Sequence, residues 1–380
     1  MPTRRQLLMG LSALSASAAL PRLSLASTGS EQRLVVIILR GGLDGLALLP
    51  PHGDPHYRSA RGKVALPMPG SSGGILDLDG FFGLHPAMAS LLPMYRSGEL
   101  LGVHAVGHPN TQRSHFEAQD MLEGGGASAR VLKTGWLNRA LSSQPKADAS
   151  QAIAIGQGIP LILRGPAEVT SLQPGGHSDA TDPFLEMVAD LYRTDALLDE
   201  ALRQSMMTRE LLEKSGGRQR GRKKQLQATG QLLSAADGPR VAVLELGGMD
   251  THAGQKSALN NRLRQLSESL LVLQEALGGA WDQTAVVMIT EFGRTVSANG
   301  TGGTDHGTGG AALLLGGAIA GGRILSDWPG LQDLHQRRDL RITTDLRSVL
   351  GGVLKDHLGI TGPDIFPGAP AASSGLIRPA

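Results

Sequence analysis

Carboxylates and imidazoles stand where apolar runs break off, at three separate places in this sequence. Ala285 to Ile289 leads into Thr290-Glu291-Phe292-Gly293-Arg294, and Asp305-His306 follows in a glycine-rich loop before another apolar run. Arg240 to Leu246 leads into Gly247-Gly248-Met249-Asp250-Thr251-His252. Arg33 to Arg40 leads into Gly41-Gly42-Leu43-Asp44-Gly45. In an open α/β sheet, ligands bind beyond the carboxyl ends of the strands. Acids and histidines collected there from distant segments suit a divalent cation, because mixed oxygen and nitrogen donors bind zinc and related ions.

Each residue has a plainer use beside the chemical one. Asp44 is a metal ligand, or it caps the next helix and stabilises its own turn. Asp250 and His252 lie two apart and share a face of an extended segment, so they can converge on one ion; Asp250 also suits a helix cap near Thr251. Glu291 closes its strand as a further ligand. Arg294 can clamp an anionic substrate through two parallel hydrogen bonds, or pair with a carboxylate as structure. Asp305 and His306 are adjacent, so one ligates while the other orients a neighbour, with His306 the better ligand.

Ser114, within Thr111-Gln112-Arg113-Ser114-His115-Phe116, stands where a helix is expected to begin. Unsatisfied N–H groups and the positive end of the helix dipole would stabilise an attacking oxygen or a bound oxyanion there. A nearby cation would add to that effect. A plain N-cap serine is the alternative. His115 and His108 are acid–base or ligand candidates, whereas His52, His56 and His85 are less specific.

These residues need a scaffold. Arg33 to Arg40, Leu100 to Val106, Ala152 to Ile155, Leu161 to Leu163, Arg240 to Leu246 and Ala285 to Ile289 are predicted strands, the first of them buried and central. Helices are predicted over Pro86 to Arg96, Ser114 to Glu123, Pro183 to about Leu212, and Leu259 to Leu277. The stretch from Pro50 to Gly83 and the tail after Ile360 read as irregular. Strands alternate with helices, which predicts one α/β domain over 27–380 with a mostly parallel central sheet flanked by helices.

Aromatic residues are only 3% of the 380 positions, so the core must rest on Leu, Val, Ile and Ala. There is no cysteine, which excludes disulfides, thiolate zinc sites, a cysteine nucleophile and a formylglycine made from cysteine. A formal charge of +2 lacks the basic excess of a nucleic-acid binder. Arg4-Arg5, an apolar stretch to about Leu20 and small residues near Ala26 form a twin-arginine (Tat) export signal over residues 1–26. The expected partner is therefore the Tat machinery, and the expected location is the periplasm or another exported site. No later segment is apolar enough for a stable transmembrane anchor.

Six motifs in this order resemble an exported bacterial family, domain of unknown function 1501: Leu34 to Leu46, Asn110 to Gln119, Thr134 to Leu141, Gly247 to His252, Thr290 to Thr295, and Gly303 to Gly307. The likeness runs from about Arg33 to about Gly362. That family is similar to the alkaline phosphatase superfamily, which includes sulfatases and cofactor-independent phosphoglycerate mutases. The resemblance implies an alkaline phosphatase-like fold, one or two divalent metal ions at the strand ends, and a serine that attacks a phosphate or sulfate ester. By this resemblance Asp44, Asp250, His252, Glu291 and His306 are metal residues and Ser114 is the nucleophile, with Thr111 its substitute. Asp305 and His115 are the candidates for the ligand missing after Glu291, and Arg294, from its own chemistry, joins Ser114 and His115 as a catalytic candidate. Zinc, manganese, magnesium and calcium all remain open. Phe292 stands where the superfamily has a histidine, so the second expectation is a non-catalytic metal-binding envelope or assembly protein that keeps the fold.

Overall fold

The structure, a computed structural model, describes residues 31–110, 113–144, 152–156, 158–173, 189, 193, 221–236 and 238–379. The expected export signal, Thr111 and nearly all of the helix expected from Pro183 to Leu212 lie outside the described residues.

Among the described residues, nine strands form the main sheet: β1 (Arg33–Leu39), β4 (Leu100–Gly107), β5 (Ala152–Ile155), β6 (Val169–Leu172), β7 (Val241–Leu246), β8 (Thr284–Ile289), β9 (Gly310–Leu315), β10 (Arg323–Leu325) and β11 (Thr344–Asp345). The excursion from Pro50 to Gly83, expected as irregular, holds a short helix (Tyr57–Arg61), a 3-10 turn (Gly62–Val64) and a separate hairpin of β2 (Leu76–Asp77) with β3 (Gly83–Leu84). The order across the main sheet is β10-β4-β9-β8-β1-β7-β5-β6, with β11 beside β4. Strand β1 is central and parallel to both neighbours, with Val36 opposite Val243 on one side and Val287 on the other. Only β9 runs antiparallel, to β8 and to β4. That single reversal sets the start of β9 beside the ends of β1, β4, β7 and β8. The loop carrying Asp305 and His306 therefore shares an edge with Asp44, Ser114, Asp250 and Glu291.

Every residue of β1 is buried because both faces of the sheet are covered. Val35, Ile37 and Leu39 point into one core and Leu34, Val36 and Ile38 into the other. The first core is closed by the helices Arg222–Ser234 and Gln255–Leu277. In the longer helix, Leu259, Leu263, Leu266, Leu270, Leu273 and Leu277 recur three and four apart and are buried, as an amphipathic helix requires. Truncating one of them, Leu270→Ala, should cost about 2–5 kcal/mol. The second core is closed by the helices Trp136–Ser142 and Leu346–Leu358. Among the described residues, no helix is long and apolar enough to cross a membrane.

Leu161–Leu163, expected as a strand, is a turn of 3-10 helix. Three apolar residues after Pro160 are too short a run to tell a strand from a buried turn.

Candidate metal centre

Two backbone pairings and one backbone-to-side-chain hydrogen bond build the site. Gly293 to Thr295 pairs with Asp305 to Thr308, through Thr295 N–H to the Asp305 carbonyl (2.9 Å), Gly293 N–H to the Thr308 carbonyl (2.9 Å) and Gly307 N–H to the Gly293 carbonyl (2.8 Å). Thr304 N–H donates to the Thr251 carbonyl at 3.1 Å, fixing His252 against Asp305. Gly41 N–H donates to Glu291 Oε1 at 2.8 Å, joining the ends of β1 and β8. Gly41 has φ +112° and a Cβ there would sit 2.4 Å from the Asp250 backbone nitrogen. Any side chain at that position would displace Asp250.

The three imidazoles of the site share one arrangement. His252 Nδ1 lies 3.0 Å from Asp305 Oδ1, His115 Nδ1 lies 3.0 Å from Glu291 Oε1, and His306 Nδ1 lies 2.8 Å from the Arg113 carbonyl. Facing acceptors, each Nδ1 is placed to donate, which leaves Nε2 as the ring nitrogen that can offer a lone pair. Those Nε2 atoms converge. His252 Nε2 is 3.1 Å from His306 Nε2 and 2.9 Å from Asp250 Oδ1, and His306 Nε2 is 3.3 Å from the same oxygen. His115 Nε2 is 3.5 Å from Asp250 Oδ2.

Neighbouring groups keep the acids ionised. Partial burial raises the Asp250 carboxyl, but the hydrogen bond and charge of Arg294, with His252 and His306, bring it below its ordinary value. Burial likewise raises Glu291, yet hydrogen bonds from its own N–H, Gly41, His115 and Gln119 leave it lowered. Asp305 is lowered chiefly by hydrogen bonds from Asn299 and His252. Burial pushes His306 below the ordinary histidine value, so its ring is neutral and a lone pair is available.

The residues fit a cation. Two imidazole Nε2 atoms and a carboxylate oxygen lie within 3.3 Å of one another, and with both Nδ1 atoms donating, the three facing lone pairs call for a positive charge between them. Zinc bonds of about 2.0–2.1 Å put tetrahedral donors roughly 3.3 Å apart, which matches the triangle of Asp250, His252 and His306. A looser triangle of His115, Asp250 and His306 keeps its donors within 4.8 Å. We favour the tighter one because its edges need the least adjustment.

Asp44 and Arg294 make the plainer contacts weighed for them beside the chemical ones. Asp44 is buried: Oδ1 accepts from Ala47 N–H at 3.2 Å, as the cap of the short helix Gly45–Leu48, and Oδ2 accepts from Arg61 and Gln255. Arg294 is buried, with Nη1 on Asp250 Oδ1 at 2.7 Å, Nε on Thr304 Oγ1 at 3.2 Å and Nη2 on the Thr304 carbonyl. Its donors hold protein groups, not an open anion pocket. Glu291 touches His115, and Asp305 touches His252, as orienting carboxylates. Asp250 does not cap a helix, since the next helix begins at Gln255. Ser114 is the N-cap of His115–Gly124 and is exposed, and its side chain makes no capping hydrogen bond.

The remaining histidines lie elsewhere. His108 binds the Gly126 carbonyl, His85 caps a 3-10 turn, His52 pairs with Asp77 and His56 with Gln332. Sequence reasoning missed Asn299, which bonds the His252 carbonyl and Asp305, and Gln255, which ties Asp44 to Thr251 and Thr304. Asn299-Gly300 is a turn signal, but nothing local marks Gln255.

No curated protein sequence matches the chain. Among solved structures it is similar to the lipoteichoic acid synthase LtaP from Listeria monocytogenes, at 10% identity and TM-score 0.39, covering 90% of this chain and 77% of that one. It is similar to the C-terminal periplasmic domain of EptC from Escherichia coli in complex with zinc, at 11% identity and TM-score 0.41, covering 88% and 85%. It is also similar to the sulfatase PsFucS1 from Pseudoalteromonas sp., at 12% identity and TM-score 0.30, covering 85% and 68%. Residues 31–365 match the family described as "Protein of unknown function (DUF1501)", and the chain belongs to that family.

Proposed function

We propose that this chain is an exported hydrolase of phosphate or sulfate esters that works with one divalent ion held by Asp250, His252 and His306. The observation that carries the reading is the convergence of two Nε2 lone pairs and a carboxylate oxygen, with each ring fixed through Nδ1 by a separate acceptor. Hydrogen bonding of the far ring nitrogen is how metal-binding histidines are held. Three protein donors leave a fourth position open, as catalysis requires. Bound there, the ion would supply Lewis-acid stabilisation of charge on the ester oxygens. Imidazole donors favour zinc over magnesium, calcium or manganese.

The chain's own residues would do the rest. Ser114 Oγ is the nucleophile toward phosphorus or sulfur. His115, held through Nδ1 by Glu291, presents Nε2 to take the serine proton and return it to the departing alcohol oxygen. Water then cleaves the serine ester, giving up a proton to Nε2, which returns it to Ser114 Oγ as phosphate or sulfate leaves. Arg294 and Asp305 orient Asp250 and His252. Asp44, already compensated by Arg61, belongs to the support beneath the site. The twin-arginine pattern supports export through the Tat pathway.

The test combines elemental analysis of protein purified without added metal with assays on aryl phosphates, phosphodiesters and aryl sulfates. One ion per chain and turnover lost in both Ser114→Ala and Asp250→Ala are expected. Absence of any bound ion, or undiminished turnover in both variants, would sink the assignment.

A further inference from the structure

Two arginines flank His306 and share one buried carboxylate. Asp339 is wholly buried, and its Oδ2 accepts from Arg113 Nε at 2.9 Å and from Arg113 Nη2. Arg338 Nε lies 3.2 Å from Asp339 Oδ1, within ion-pair distance though without hydrogen-bond geometry. Both arginines also contact His306, Arg113 through its backbone carbonyl and Arg338 through its side chain. The Arg113 carbonyl accepts from His306 Nδ1 at 2.8 Å, and Arg338 Nη2 donates to the His306 carbonyl. One carboxylate between two guanidinium groups leaves a net positive charge beside the metal triangle.

The turn that delivers Arg338 is strained. Gln336 and Arg337 both adopt positive φ, 52° and 57°, a region that non-glycine residues rarely occupy. Hydrogen bonds from His335 N–H to the Asp339 carbonyl (2.8 Å) and from Asp339 N–H to the His335 carbonyl (3.0 Å) close the turn. Strain of this kind persists where the surroundings over-determine the backbone, commonly at ligand sites. The side chain of Arg338 keeps 43% of its surface exposed, and that of Arg113 29%. Arg294, by contrast, has no exposed side-chain surface.

We infer that Arg338, backed by Arg113 and fixed by Asp339, is the oxyanion arm of the site and binds the non-bridging oxygens of a phosphate or sulfate group. This rests on the hydrolase reading for the position of the substrate, but not on turnover. A guanidinium matches such an anion with directed N–H donors. Asp339 holds the arm in place before the anion arrives, so less rotamer freedom is lost on binding.

Calorimetric titration of orthophosphate and of sulfate into the zinc-loaded full chain tests it, with zinc affinity measured on the same proteins. Arg338→Gln should weaken anion binding roughly tenfold to a hundredfold and leave zinc affinity unchanged. Arg338→Lys should recover part of the loss, and Arg341→Gln, at an arginine paired with Asp333, should change nothing. Tighter phosphate than sulfate binding would name a phosphate ester as the source of the anion, and the reverse order a sulfate ester. Wild-type protein that binds neither anion overturns the inference, as does Arg338→Gln binding both as tightly as wild type or losing zinc together with the anion. Arginine-dependent anion binding without ester turnover would remove the hydrolase reading alone. Normal turnover with unchanged anion affinity in Arg338→Gln would remove this inference alone.

Discussion

Arg294 Nη1 meets Asp250 Oδ1 at 2.7 Å, with the guanidinium side chain fully buried and the carboxylate side chain 41% exposed. The arginine thus reaches outward from the core to hold a carboxylate at the surface of the site. It is the last link in a chain of contacts from Arg61 through Asp44, Gln255 and Thr304. A lysine cannot serve Asp250, Thr304 Oγ1 and the Thr304 carbonyl together, because it lacks the planar fork. Arg294→Lys and Arg294→Met should therefore lower zinc affinity by about tenfold to a hundredfold, the usual effect of losing a group that orients a ligand. Competition with a chelator measures it. Affinity equal to wild type in Arg294→Met would show that Asp250 needs no such support.

Metal binding should also be visible as stability. Asp250, His252 and His306 hold mutually repelling donors in the ion-free fold, so an ion that binds only the native state adds stability by mass action. At a free concentration a hundredfold above Kd the gain is about 2.7 kcal/mol. Zinc should raise the melting temperature of the wild type by a few degrees and that of His252→Ala or His306→Ala by much less. Scanning calorimetry with and without a chelator reads this directly. Equal zinc-induced shifts in wild type and both variants would place the ion elsewhere.

Much of the scaffold was legible because its strands are unbroken apolar runs. Arg33 to Leu39 and Thr284 to Ile289 are buried on both faces, so they need no alternation and stand out from polar neighbours. The acids at their ends were legible for the same reason. Strands such as Val169–Leu172 and Arg323–Leu325 are half exposed and short, and they carry no comparable signal. Within the site, residue types were readable but their duties were not. A glycine-rich turn around Asp44 looks the same whether its carboxylate faces an ion or Arg61, and Arg61 is 17 residues away. The orientation of each imidazole depends on partners such as Glu291, 176 residues from His115, which no local pattern announces.

Acid sensitivity should come partly from two histidines outside the site. Burial holds His85 and His104 at about 4, partly countered at His85 by the charge of Asp44 and at His104 by the Leu49 backbone and then by Asp44, against about 6.5 for an ordinary histidine. Both accept a backbone N–H on Nδ1, from Ala87 and Ala105, and protonation would destroy that acceptor. The folded pKa lies below the unfolded one, so the unfolded chain binds more protons between those values. The contribution is complete above about pH 6.5, declines as pH falls, and is lost once pH passes below about 4. Each ring accounts for about 3 kcal/mol over that window. Urea unfolding at intervals from pH 7 to pH 4 should give a profile that flattens in His104→Gln. An unchanged slope would mean that the ring is solvated in the folded chain.

Asp44 and Arg61 make the sharpest test of ion number. Both are buried, and Arg61 also donates to the carbonyls of Thr295 (3.2 Å) and Val296 (2.8 Å). The guanidinium occupies the place beside Asp44 that a second cation would need. Removing it in Arg61→Met leaves a buried carboxylate uncompensated, which should cost about 3–5 kcal/mol. The pair Asp44→Asn with Arg61→Met should recover much of that loss, because it removes both charges. Chemical denaturation of the two single variants and the double variant measures the coupling. Native mass spectrometry on the same proteins should count one ion in each. A second ion in the wild type that disappears in Asp44→Asn would show that the guanidinium yields to a metal, and the one-ion site would have to be abandoned.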